Sequence, residues 1–212
     1  MTATPAPTRL RRVGVPERVG GIAGLLVPAA CAVAVISTAL SGPNLRQGAF
    51  PWAASAGAVL TAFTIDALAR RHDRVWGRLR RAVARGTTGG LLGVAVFFVA
   101  LGTEDLANEG LGAPRVLSDS ELVTGLGTLL ASLLATLVVP IGLVLVGIFT
   151  SHARLLDRTG RTAMLAVGPV LILGALLTGV TDVSWISAAW PLLLGLCWAV
   201  VGASLLREGG HR

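Results

Sequence analysis

The sequence predicts an all-α, polytopic integral membrane protein: six transmembrane helices with both termini in the cytoplasm. Three observations carry that prediction. Of 212 residues, 53% are hydrophobic and only 14% are charged, and the mean hydropathy is +0.75. An average soluble domain carries roughly 25% charged residues. The apolar residues are gathered into long uncharged runs, and about 20 such residues cross a hydrocarbon core of about 30 Å. The arginines lie in alternate connections between those runs.

Six helical spans are expected near residues 19–40, 50–69, 87–102, 122–149, 162–181 and 186–206. In a water-free core every backbone N–H and C=O must be paired within the segment, so runs of this length are helices. The alternation expected of barrel strands is absent. A basic, disordered tail of residues 1–18 precedes the bundle, and a short tail, 207–212, follows it. The first run follows Arg9, Arg11, Arg12 and Arg18, as a signal peptide would. At 22 residues it exceeds the usual signal core of about 7–15, and retention as the first span is expected. The third run, "TTGGLLGVAVFFVALG", is barely long enough to cross. The fourth is the longest, about 42 Å at 1.5 Å per residue, and must tilt, bend at Pro140 or project. Ser118 and Glu121 form an S-x-x-E capping box before it.

Orientation follows from the arginines, which stay in the cytoplasm while neighbouring segments cross. Four lie in the first tail, seven after the second span, three after the fourth (Arg154, Arg158, Arg161) and two in the last tail. Only Arg46 and Arg115 fall on the other side, with Glu104, Asp105, Glu109, Asp119, Glu121 and Asp182. Phe50, Trp52, Trp185 and Trp190 lie near the outer ends, where an aromatic belt belongs. The sequence therefore points to a multi-pass protein of the plasma membrane. All 18 basic residues are arginine, beside abundant Ala and Gly, a bias expected of a GC-rich bacterial coding genome.

The net charge of +7 could suggest nucleic acid, but no recognition motif accompanies it and nucleic acid is not expected as a partner. The most basic stretch, "RRHDRVWGRLRRAVARG" (70–86), is read instead as an amphipathic continuation of the second helix. Leu68, Val75, Leu79 and Val83 would share one face, beside Trp76. Arg70, Arg71, Arg74, Arg78, Arg80, Arg81 and Arg85 would occupy the rest. Such a surface rests on anionic lipid head groups, at roughly 1 kcal/mol per arginine, docks a protein partner or second copy, or, as the plainer reading, only orients the bundle and has no partner. "ARRHDR" (69–74) and "ARLLDR" (153–158) share the pattern A-R-x-x-D-R at two helix exits. It reads either as a chance likeness of arginine-rich ends or as the trace of a duplicated hairpin.

Asp66 is the one acid inside an apolar run, and an intramembrane acid suggests an ion path. Arg70 stands four residues on, so a paired, snorkelling acid is the plainer reading. Thr124, Thr128, Ser132 and Thr136 recur every four residues, with Pro140 next. Such a stripe lines a polar path or packs helices together, the hydroxyls bonding back to their own backbone. Cys31 and Cys197 are read as buried small hydrophobes rather than metal ligands. His72, His152 and His211 fall at the arginine-rich side, so no haem or zinc pair lies within the runs. No cofactor, metal or catalytic residue is expected, and no hydrolase, metalloprotease or nucleotide-loop motif is present. The sequence expectation is a non-enzymatic subunit or accessory of a membrane assembly. The alternative is a transport protein: a permease partnered by a cytosolic ATPase, or a small channel.

Overall fold

The computed structural model describes residues 15–41, 48–71, 77–111, 127, 129–131, 133–153, 156–180 and 184–210. Within them the chain is helical: α1 Val15–Ser41, α2 Phe50–Arg71 and α3 Arg78–Leu111, then a π-helical turn Leu134–Val138 leading into α4 Val139–His152, then α5 Arg158–Val180 and α6 Ser184–Gly210. Six of these segments are long and apolar enough to cross a membrane, the fourth running Leu129–His152.

Each helix packs on its neighbours in the chain, and α1 packs on α6, so the six form a closed circuit. Neighbours are antiparallel. The start of α1 meets the end of α2 (Gly20 against Ala67), and the start of α2 meets the end of α3 (Trp52 against Gly102). Several crossings put a backbone where a side chain would stand. A Cβ on Gly24 would come within 2.9 Å of the Gly202 Cα, and one on Gly195 within 2.9 Å of the Pro28 Cα. Glycine is required at these points because α1 and α6 approach backbone to backbone. Where apolar burial gives helices little reason to associate, such close contact supplies dispersion energy instead. At the ends away from the arginines the glycine instead receives a large ring, Trp52 on Gly102 and Trp190 on Gly174.

Val27, Ala62, Ile65, Leu68, Ala84, Leu91, Val139, Leu143, Val146, Leu156, Met164, Val167, Trp198, Val201 and Leu205 are buried together, so every helix contributes to the core. Ala53, Ala95, Leu101 and Ala131 are buried toward the end away from the arginines.

The sequence expectation is corrected at α3. The helix begins at Arg78, nine residues before the expected start at 87. Hydropathy discounts those turns because of their arginines, yet Ala84 there is buried. Arginine permits this, since its apolar stem can run along the bundle while the guanidinium reaches water. The basic stretch therefore does not continue α2, which ends at Arg71. Its second half is the first turns of α3. The capping box at Ser118 lies outside the described residues.

Candidate functional site

The arginine-bearing end gathers the groups with chemistry. Leu68 is in the core and Val83 packs against it, whereas Leu79 is 73% exposed. The single apolar face expected of Leu68, Val75, Leu79 and Val83 is therefore not formed by the described members. Two helices with different packing contribute them. Arg74, Val75 and Trp76 lie outside the described residues. Arg78 and Arg85 are exposed, and Arg80 and Arg81 are half-buried. The Arg80 guanidinium stands 5.3 Å from the centre of the Phe149 ring, tying the start of α3 to the end of α4 by a cation–π contact.

Asp66 pairs with Arg70 one turn on, its Oδ2 accepting from Nε at 2.7 Å. Both side chains are substantially exposed, 41% and 63%, so the pair lies on the outer surface of the bundle. Exposed pairs of this kind contribute about 0–1 kcal/mol.

One cluster at this end goes beyond the sequence expectations. Asp157 precedes α5 and caps it, its Oδ1 accepting from the Gly160 N–H at 2.7 Å. The same oxygen accepts from the Ser204 hydroxyl of α6 at 2.7 Å, and Ser204 Oγ lies 3.3 Å from the Asp157 N–H. The hydroxyl of Ser204, the amide of Gly160 and the nearby Arg207 and Arg161 together hold the Asp157 carboxyl below the usual carboxylate range, against the opposing effect of burial. The "LDR" before a helical run carried the signal for the cap. Ser204, 47 positions away, left no local trace. Asp157 is also the aspartate of the second A-R-x-x-D-R pattern, so there that residue serves as a helix cap. Its counterpart Asp73 lies outside the described residues.

Of the fourth-span stripe, Thr124, Thr128 and Ser132 lie outside the described residues. Thr136 is exposed and Pro140 is buried, so these two do not share a face. The reason is the π turn between them. Pro140 has no N–H, and its ring would strike the carbonyl four residues back. The Val139 N–H reaches back to Leu134 O, five residues away. The widened turn rotates α4 relative to the preceding residues by one residue's worth, roughly 100°.

The buried hydroxyls serve packing. Thr64 Oγ1 lies 3.0 Å from both Leu60 O and Gly20 O, sharing one proton between its own helix and α1. Thr87 donates to Val83 O at 2.8 Å and Thr150 to Val146 O at 2.7 Å. Among the described residues no three His, Cys, Asp or Glu side chains converge as a metal site. Cys31 and Cys197 are free thiols, both half-buried. Cys31 lies against Gly195. His152 is exposed at the end of α4.

Compared with known protein families, curated proteins and solved structures, the chain shows no match.

Proposed function

We propose that this chain is a bacterial plasma-membrane protein with both termini in the cytoplasm, acting as a non-enzymatic subunit or accessory of a membrane assembly. The observation that carries the membrane reading is the outward surface. Large apolar side chains stand exposed on every span: Ile22 and Ile36 on α1, Phe63 on α2, Val96 on α3, Leu130 and Leu137 on the fourth, Leu173 and Leu176 on α5, Leu193 and Leu196 on α6. Water would penalise such a surface at about 25 cal/mol per Å², whereas lipid would not. The arginine-bearing end then faces the cytoplasm and its anionic head groups.

The accessory role rests on the sequence, which offers no catalytic motif, and on the exposed Leu79 between Arg78 and Arg80, a surface suited to lipid or a protein partner. Affinity purification in mild detergent tests it. A partner that copurifies with the native chain and is lost with Leu79→Asp supports the role; Leu79 is the residue to change because Val83 packs against the core. Transport is the second reading, supported by the six apolar spans and the basic connection after the second. Solute flux through the purified protein in liposomes would establish that reading, and its absence with a copurifying partner would support the first.

A further inference from the structure

Three arginines gather where α5 begins and α6 ends, with too little negative charge among them. Arg158 and Arg161 stand in the first turn of α5, which holds no acid. A helix presents its partial positive charge at that end, so cations there are disfavoured. Arg207 lies in the last turn of α6. The Asp157 carboxylate feels both Arg161 and Arg207. Its Oδ1 is already engaged, accepting from the Gly160 N–H and the Ser204 hydroxyl, each at 2.7 Å. None of the three arginines forms an ion pair among the described residues. Arg161 is half-buried, and its Nε is enclosed without meeting an acceptor among them. Its stem is thus packed in place, and a buried donor of this kind calls for an oxygen that the protein does not supply.

The position of the cluster says where that oxygen comes from. The part of α5 able to cross a membrane begins at Arg158, and that of α6 ends at Arg207. The arginines therefore stand at the level where head groups begin, and a guanidinium fork matches the oxygens of a phosphate. Resting on the membrane reading above, we infer that Arg161 and Arg207 form a discrete site for the phosphate of an anionic lipid head group. Arg158 adds charge at its rim. Asp157, tied to Gly160 and Ser204, fixes the joint of α5 and α6 on which the site is built.

Native mass spectrometry of the purified chain, taken from mixed micelles with equal phosphatidylglycerol and phosphatidylcholine, reads the site. One phosphatidylglycerol per chain should be retained, with a preference on the order of tenfold for two arginines. Arg161→Gln together with Arg207→Gln should remove that preference. An undiminished preference in the double variant, or none in the native chain, overturns the site. Should the double variant fail to fold, Arg207→Gln decides alone, since Arg207 is exposed. It should lower the preference severalfold, and no change overturns the proposal. Inorganic phosphate at the lipid's concentration should leave the lipid bound. Displacement would assign the site to a soluble anion and overturn the lipid. Alkaline carbonate extraction of native membranes keeps the two readings apart. A chain that stays in the pellet yet shows no preference overturns this site alone. A chain released to the supernatant overturns the membrane reading with it.

Discussion

Asp157 shows how one side chain can join two helices that the chain separates by 47 positions. Its carboxylate satisfies an orphan amide of α5 and a hydroxyl of α6 through one oxygen. Losing an N-cap costs about 1 kcal/mol, and here the Ser204 hydroxyl loses its acceptor as well. Asp157→Ala is therefore expected to cost about 1–2 kcal/mol, seen as a lowered Tm in detergent. Because the folded carboxyl titrates below its unfolded value, this stability is present above about pH 4 and is lost as pH falls through the lower folded value. The Tm of the native chain should fall over that acid window, and Asp157→Asn should flatten that part of the profile. Asp66→Asn is the contrasting case. Its ion pair is exposed, so a change below about 0.5 kcal/mol is expected. Thr64→Val lies between them. The interhelical bond to Gly20 O is lost, but such bonds average about 0.6 kcal/mol in membrane bundles, and a measured loss above about 2 kcal/mol would contradict the shared-proton geometry.

Among the elements, the sequence made some boundaries legible and hid others for physical reasons. Apolar runs located six helices because no other structure pairs the backbone of such a run. The early start of α3 was hidden because hydropathy averages over a turn, while packing depends on one face. Arg81 and Arg85 alternate with Val83, Ala84 and Thr87, and the average reads as a loop. The π turn was equally illegible. Pro140 announced a bend, but whether a helix kinks, ends or widens depends on what its next turn packs against. Of the candidate site residues, Asp66 with Arg70 was readable from spacing alone, because i and i+4 always meet on a helix. Ser204 with Asp157 was not, because that contact exists only once α5 lies on α6. The glycines give the sharpest test at this scale. Gly202→Val should force α1 and α6 apart and cost about 1–3 kcal/mol, as overpacked substitutions do. Gly86→Ala faces open space and should instead stabilise α3 by up to about 1 kcal/mol through helix propensity.

At the scale of the molecule, the arginines of the described residues gather at one end of the bundle. If the arginines set the orientation, a periplasmic-type enzyme fused in the 72–76 connection should be inactive, and one fused in the 112–118 connection active. Activity at the first site would reverse the topology.

The circuit also has a consequence for biogenesis. Gly20 finds its partners on α2, made shortly afterwards, but Gly21 and Gly24 find theirs on α6, the last of the described helices. Through most of translation α1 must therefore wait with one flank unmatched, while each later helix can settle on the one before. Closure is a single late event over most of the chain length, the kind of long-range contact that slows folding. A chain stopped after Val180 would keep α1–α5 and never release α1 from waiting. Pulse-chase of such a truncation should show rapid degradation, and a separately expressed α6 should rescue it.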